Sequence, residues 1–268
     1  MKRKAILKGS FYPTTEKEIK NQLKEFFSNT KPHKKTDYII SPHAGTIYSG
    51  QTASYSIALL KEPETIIILS PNHTGYGEEI SIYPKGKWET PIGETEIDAE
   101  AVEKITEFFP KAEKDKIAHL QEHSIEIQLI FLQYLFKNFK IVPITLMTEN
   151  SLDLEKLAEA LIKAEKSLGK KFTVIASSDF SHFLPAENAK EKDFRAIELI
   201  KKMDIKGFHE LVEKERISIC GHSAIEVLMN YCKKKNIIKT ELINYSNSGD
   251  ATGDYSGIVT YAAIGFFK

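Results

Sequence analysis

The chain has 268 residues, and its 37 lysine and arginine side chains are balanced by 37 aspartate and glutamate side chains. This balance argues against a general polyanion-binding protein, which usually carries a basic excess, although it does not exclude a local charged patch. Apolar residues make up 41% of the chain, so intrinsic disorder is not expected, and the length suits one large α/β domain or two small domains.

Hydropathy and cysteine content indicate where the protein works. The longest aliphatic stretches, such as residues 66–69, are far shorter than the roughly 18 residues of a membrane-spanning helix. The charged N-terminus is not followed by the apolar segment of a signal peptide. The two cysteines, Cys220 and Cys232, do not make a disulfide framework. We therefore expect a cytoplasmic, reducing location, with neither membrane nor nucleic acid as a partner.

The predicted elements alternate between helix and strand along the chain. A capping box at residues 15–18 opens an amphipathic helix. The later elements are a strand at 38–41, a helix at 50–60, a strand at 65–69, a hairpin or edge excursion at 80–97, helices at 99–109 and 124–136, a strand at 141–146, a helix at 152–168, a strand at 172–178, helices at 186–203, 207–213 and 223–235, and strands at 240–245 and 257–267. This alternation, without a linker, predicts a single three-layer α/β/α domain over residues 1–268 with a mostly parallel central sheet.

Polar residues follow the ends of the predicted strands, where open α/β sheets bind their ligands. His43, His73 and His182 each come just after a predicted strand, and Cys220 comes just before a predicted helix. Because strand ends of one parallel sheet lie along one edge, we expect these side chains to be neighbours. Taken singly, a loop histidine is more often solvated than a ligand, and a lone cysteine is more often a small buried apolar residue.

Imidazole and thiolate groups are good ligands for iron, copper and zinc. Two histidines with one anionic ligand leave coordination positions open for a substrate or dioxygen. The helix that follows Cys220 is expected to lower the pKa of its thiol through the positive end of the helix dipole.

Asp179 precedes His182 by three residues in Ser177-Ser-Asp-Phe-Ser-His182. The carboxylate could orient the imidazole and raise its basicity, as general-base catalysis requires. The alternative is that Asp179 caps a turn after the strand.

The segment Glu122-His123-Ser-Ile-Glu126 is a further candidate, since residues three apart share one helix face. We expect Glu122 and His123 to line the pocket or support its ligands, with simple capping of the helix start as the alternative. Motifs of zincins, nicotinamide dehydrogenases, P-loop NTPases, α/β-hydrolases and zinc ribbons are absent from the sequence, so these classes lose their main support.

With these motifs in place, the sequence resembles the MEMO family, whose fold is that of the class III extradiol ring-cleaving dioxygenases. The matching segments are Gly9-Ser-Phe-Tyr-Pro13, Pro42-His-Ala-Gly45, Tyr48-Ser-Gly50, Ser70-Pro-Asn-His73, Glu122-His-Ser-Ile-Glu126, Ser177-Ser-Asp-Phe-Ser-His182, Ile219-Cys-Gly221 and Tyr261-Ala-Ala-Ile264. Each is weak alone, but their order and spacing along nearly the whole chain are specific. Tyr48 is expected near the pocket.

The resemblance implies a metal site lined by His43, His73 and Cys220, with His182 and Asp179 beside it as the catalytic pair. In extradiol enzymes an acidic residue holds the place of Cys220, so ring cleavage does not transfer directly, because a thiolate changes the redox behaviour of iron and can itself be oxidised. The resemblance also implies possible partners, namely a radical SAM protein and an AMMECR-type protein. A eukaryotic member is associated with phosphotyrosine peptides and with metal-dependent redox activity.

Three functions therefore compete. The first is a non-haem metal oxidoreductase that resembles the dioxygenases, with Fe(II) as the expected metal and copper or zinc as alternatives. The second is a non-catalytic module that binds an anionic small molecule or peptide in the same pocket. The third is a metal-dependent hydrolase, which would use a metal-bound water and a base such as Asp179.

Overall fold

The computed structural model describes residues 2–32 and 34–268, in which helices and strands alternate. The strands are β1 Lys2–Arg3, β2 Tyr38–Ser41, β3 Thr65–Pro71, β4 Ile80–Ile82, β5 Lys87–Thr90, β6 Gly93–Ile97, β7 Glu113–Lys114, β8 Lys140–Leu146, β9 Phe172–Ser177, β10 His182–Leu184, β11 Lys239–Asn247 and β12 Ile258–Phe267. The helices are α1 Glu16–Ser28, α2 Thr46–Ala58, α3 Ala99–Phe108, α4 Ile117–Leu120, α5 Ser124–Leu135, α6 Ser151–Leu168, α7 Ala186–Lys201, α8 Ile205–Glu215, α9 His222–Lys234 and α10 Gly249–Thr252.

The strands form one mixed sheet with a parallel centre. Its order is β1-β5-β6-β8-β3-β9-β2-β12-β10, with β11 paired to β12 and with β4 joining β7 to β8. From β6 to β2 every neighbouring pair is parallel, whereas β12 is antiparallel to β2, β10 and β11. Residues of β2, β3 and β9 are buried throughout, as in strands covered on both faces. The predicted α/β fold with a mostly parallel central sheet is confirmed.

Helices cover this sheet in two groups, which gives the three layers. α2 contacts α1 and α5, and α5 packs on β3 and β9. α9 packs on the same two strands and contacts α6 and α8, while α3 packs on α6. No helix in the described ranges is long and apolar enough to cross a membrane.

Most predicted elements are confirmed within a few residues, and the capping box is present, since Thr15 caps α1 and Glu18 completes the reciprocal pair. The predicted start of α2 near residue 50 is wrong, because the helix begins at Thr46. The Thr46 backbone N–H donates to the Phe11 carbonyl at 2.7 Å, a tertiary contact that apolar periodicity cannot show. Short elements such as β1 and α4 are present in the structure although the sequence patterns did not predict them.

Candidate metal centre

The carboxyl ends of three central strands deliver polar side chains to one place. His43, His73 and Asp179 each lie two residues beyond the end of their strand, which is β2, β3 and β9 respectively. α5 and α9 begin at the same site, where His123 is the N-cap of α5 and Cys220 lies two residues before α9. The side chains that converge at the strand ends therefore include His123, which comes from the start of a helix.

Three imidazole rings face one another in this cluster. One ring nitrogen from each of His43, His73 and His123 lies within 4.8 Å of the other two. The ring centroids are 4.5 Å apart for His73 and His123, 5.3 Å for His43 and His73, and 5.4 Å for His43 and His123. His123, expected as a pocket or supporting residue, thus has the same spacing as the two histidines expected as ligands.

Hydrogen bonds hold the rings of His43 and His73 through Nδ1. His43 Nδ1 lies 2.9 Å from Ser177 Oγ, and His73 Nδ1 lies 3.0 Å from Glu122 Oε1. The His73 backbone N–H also donates to Glu122 Oε2 at 2.6 Å, so one carboxylate fixes both the main chain and the ring. Such contacts orient metal-binding histidines and leave Nε2 for the ion.

Glu122 is fully buried at the start of α5. Its Oε1 accepts hydrogen bonds from the His123 and Ser124 backbone N–H groups and from Ser124 Oγ, at 2.8–3.0 Å. Burial alone would raise the pKa of this carboxyl, but the hydrogen bond and charge of His73, together with His123 and the Ser124 N–H, hold the pKa well below its usual range. Within residues 2–32 and 34–268 only histidines form ion pairs with it. A buried negative charge needs a compensating positive charge, and a bound cation beside these imidazoles would supply it.

Glu126, three residues after His123, does not join the cluster. Its buried carboxylate forms an ion pair with Arg3 and accepts a hydrogen bond from the Tyr12 hydroxyl. The backbone N–H groups of Ile6 and Leu7 also donate to it, at 3.1–3.2 Å. Glu126 therefore anchors the N-terminal segment against α5 rather than offering an oxygen to a metal.

Cys220 lies at the edge of the cluster, beside His43. Its Sγ lies 3.3 Å from His43 Nε2 and accepts a hydrogen bond from the Asp179 backbone N–H at 3.3 Å. Burial and the charge of Asp179 raise the pKa of the thiol well above its ordinary value. The expectation of a lowered pKa is wrong, because burial and the charge of Asp179 disfavour the thiolate.

Asp179 and His182 both lie beside the cluster but have different partners. The Asp179 carboxylate accepts a hydrogen bond from the His43 backbone N–H at 2.8 Å, and burial raises its pKa to about 6. His182 Nδ1 lies 2.7 Å from the Ser218 carbonyl oxygen, and the His182 backbone N–H donates to Ser218 Oγ at 2.8 Å. Ser218, rather than Asp179, therefore orients the His182 ring through Nδ1.

A cleft of about 690 Å³ opens beside these residues. The titratable side chains that line it are His73, Glu149, His182, Glu213, Arg216, Cys220 and His222. Tyr48 occupies the first turn of α2, is 40% exposed, and is not among the described residues that line the cleft.

Several supporting residues were not singled out from the sequence. Gln128 donates to Ser177 Oγ at 2.8 Å and to the Pro42 carbonyl at 2.9 Å, which braces the two loops that carry His43 and Asp179. Asp193 accepts hydrogen bonds from the Ser181 backbone N–H and hydroxyl at 3.2 and 2.6 Å, which holds the loop before His182. Gln128 stands in a mostly apolar run of α5, which is a signal that could have been used, whereas nothing distinguishes Asp193 within the charged α7.

The fold and the cluster define an α/β protein with a histidine-rich candidate metal centre at the carboxyl edge of a parallel sheet. A family model described as Memo-like protein matches residues 3–265. The MEMO1 family proteins of Desulfurococcus amylolyticus and Archaeoglobus fulgidus are 41% and 42% identical to it. These alignments cover 99% and 96% of this chain and 99% and 97% of the relatives. The chain belongs to the MEMO family, which confirms the resemblance seen in the sequence.

Proposed function

We propose that this chain is a metal-dependent oxidoreductase of the dioxygenase-like kind, with Fe(II) as the metal and copper as the nearest alternative. The observation that carries the proposal is the convergence of three imidazole nitrogens within 4.8 Å of one another. Two of the rings are held through Nδ1, and a buried carboxylate lies behind them. This donor set fits a divalent transition metal, whereas magnesium and calcium prefer oxygen ligands.

His43 and His73 are the proposed ligands through Nε2, and the third is Cys220 or His123. Cys220 was expected from the family resemblance, and its Sγ lies 3.3 Å from His43 Nε2. His123 is favoured because one of its ring nitrogens lies within 4.8 Å of a ring nitrogen of both His43 and His73. When bound, the metal would supply Lewis acidity and one-electron redox chemistry.

The protein's own residues would bind a substrate in the cleft and move its protons. His182 is the proposed acid–base group, since its Nδ1 is engaged by Ser218 and its ring lines the cleft. Asp179 positions the His43 backbone through its hydrogen bond at 2.8 Å. Cys220 and Cys232 are free thiols, and the proposed cytoplasmic location keeps them reduced.

Anaerobic metal loading followed by elemental analysis tests the proposal. We expect wild type to retain one Fe(II) per chain and His43→Ala to retain none. Comparison of Cys220→Ser with His123→Ala identifies the third ligand, because the variant that lacks it should lose the larger share of affinity. Oxygen uptake by the loaded wild type, absent in His182→Gln, would support the redox role, whereas a loaded protein inert towards dioxygen would argue for binding alone.

Binding of an anionic ligand without catalysis is the second candidate, and Arg216 favours it. Its guanidinium lines the cleft and makes no ion pair within the described chain, whereas Arg3 and Arg195 each have a glutamate partner. An unpaired guanidinium suits a carboxylate or phosphate group. Ligand binding that survives both metal chelation and Cys220→Ser would favour this function.

A further inference from the structure

A second cleft lies at the opposite edge of the sheet from the histidine cluster. Its volume is about 620 Å³, and its walls include residues at or just before the starts of β2, β9 and β11 and at the end of β12. β3 has seven residues and β9 has six, so at about 3.3 Å per residue roughly 20 Å of sheet separates the two edges. The proposed metal chemistry therefore does not use this cleft.

Lysine dominates the lining of this cleft. Seven lysines line it, whereas Asp37 is the one acidic residue among its described lining residues. The lysines are Lys34, Lys35, Lys61, Lys171, Lys235, Lys239 and Lys268. The excess is local, because the whole chain is neutral with 37 basic and 37 acidic side chains.

Neighbouring carboxylates neutralise only part of this charge. Asp37 Oδ2 is shared by two lysines, at 2.6 Å from Lys171 Nζ and 3.6 Å from Lys61 Nζ. Lys34 and Lys235 each have one glutamate partner. The six lysines other than Lys268 thus face three carboxylates, which leaves three positive charges for a ligand.

The remaining lysines have no carboxylate within the described residues. Lys35 Nζ donates to the Ala58 and Leu60 carbonyls at 2.7 and 3.2 Å, at the end of α2, and these neutral partners do not offset its charge. Lys239 makes no ion pair in the described part of the chain. Neutral carbonyls do not cancel the charge of an ammonium group, and the third N–H of Lys35 remains available to an anion.

Aromatic rings in the wall hold two of the ammonium groups in place. Lys34 Nζ lies 5.4 Å from the centre of the Phe267 ring, and Lys235 Nζ lies 5.9 Å from that of Tyr38. Such contacts restrict a flexible lysine and keep its charged end at the cleft. The lysines around this cleft are therefore partly ordered before a ligand arrives.

We propose that this cleft binds a short chain of phosphate groups, either as free inorganic oligophosphate or as the phosphates of a nucleotide. An oligophosphate carries several negative charges in a row and would match the three uncompensated charges around the rim. Lysine binds phosphate as a point charge and does not require the paired geometry of arginine. A single phosphate would engage only part of the lysine set.

Calorimetric titration of the intact protein with inorganic triphosphate, in the presence of a metal chelator, tests this proposal. The test variant is Lys61→Gln/Lys239→Gln, and the control variant Lys104→Gln/Lys206→Gln removes two lysines that do not line the cleft. We expect the control to match wild type and the cleft variant to bind roughly five- to ten-fold more weakly, since each exposed charge contributes modestly. Binding should also weaken with added salt. No binding by wild type, or equal loss in both variants, would overturn the proposal.

Further ligands separate the sources of the phosphate chain. ATP that binds more tightly than triphosphate would assign a nucleotide, and equal affinity would assign free oligophosphate. If a single phosphate bound as tightly as triphosphate, the proposal would be contradicted. It would also be contradicted if an RNA oligomer bound far more tightly than triphosphate through the same lysines. His43→Ala should leave triphosphate affinity unchanged, so the result is independent of the proposed metal function.

Discussion

Glu122 connects the main chain of one loop to two imidazole rings of the cluster. It is a buried carboxylate whose partners are His73, His123 and Ser124. The ring of His73 is partly exposed, and this contact restrains it together with the stacked ring of His123. A ligand held in this way loses little freedom when it binds a metal.

Replacing Glu122 should therefore weaken metal binding without removing a ligand. We expect Glu122→Gln to bind Fe(II) roughly 10- to 100-fold more weakly, because the amide lacks the charge that supports His73. The matched control is Glu149→Gln, at the rim of the cleft, which should change affinity little. Anaerobic titration against a competing chelator measures both variants, and equal affinities would contradict the role of Glu122.

His119 poses a separate question at the residue scale. It is fully buried beside Trp88 and Tyr83, and its ring nitrogens lack a hydrogen-bond partner of normal geometry among the described residues. Burial lowers the pKa of its imidazole to about 3. The ring is therefore neutral in the folded protein and takes up a proton in the unfolded chain below its ordinary value of 6.5.

This difference makes folding sensitive to acid. Because the unfolded state binds the extra proton, stability should fall as the pH drops from about 6.5 towards 3, by about 1.4 kcal/mol per pH unit from this group. We expect His119→Phe to remove that share of the slope, so that between pH 6.5 and pH 5 it loses roughly 2 kcal/mol less than wild type. Urea unfolding at the two pH values measures the difference, and parallel losses would contradict the assignment.

At the scale of elements, the start of α9 must approach the end of β9 closely. A Cβ at Gly221 would lie 2.5 Å from the Ser177 carbonyl oxygen and 2.6 Å from Ser178 Cβ. Gly221 is also the N-cap of α9, directly after Cys220. This glycine therefore allows a helix and a strand to bring Cys220 towards His43.

Gly221→Ala should disturb both folding and the cluster. We expect a loss of about 1–3 kcal/mol in the free energy of unfolding, because the backbone must shift to relieve the overlap, together with weaker metal binding. The matched control is Gly257→Ala, where a Cβ meets nothing within 4 Å. Urea unfolding compares the two, and an unchanged Gly221→Ala protein would contradict the close packing.

At the scale of the whole molecule, the sequence was informative where one segment carries its own signal. β2 begins and ends as predicted, since a continuous apolar run marks a buried strand. The strand ends also placed His43 and His73 correctly at one edge, because parallel strands share their polarity. What could not be predicted depends on contacts between distant segments. The Thr46 start of α2 is one such case, and the proximity of His123 to His43 is another.

Contacts between distant segments also determine protonation and the hydrogen bonds that support the site, so neither could be predicted from the sequence. The thiol of Cys220 was expected to be acidic from its position before a helix, yet burial among distant residues reverses the shift in pKa. His182 was expected to take its partner from its own motif, yet Ser218, far along the chain, provides it. Short-range patterns indicate which residues converge, whereas the tertiary packing decides how each is held and charged.

The central claim is that His43 and His73 hold a metal at the carboxyl edge of the sheet, and X-ray absorption on the Fe(II)-loaded protein tests it most directly. We expect imidazole nitrogens in the coordination shell at about 2.0–2.2 Å, as in other protein metal sites. A sulfur contribution that disappears in Cys220→Ser would add the thiolate as a ligand. A shell made of oxygen alone, or a spectrum unchanged by His43→Ala, would contradict the claim.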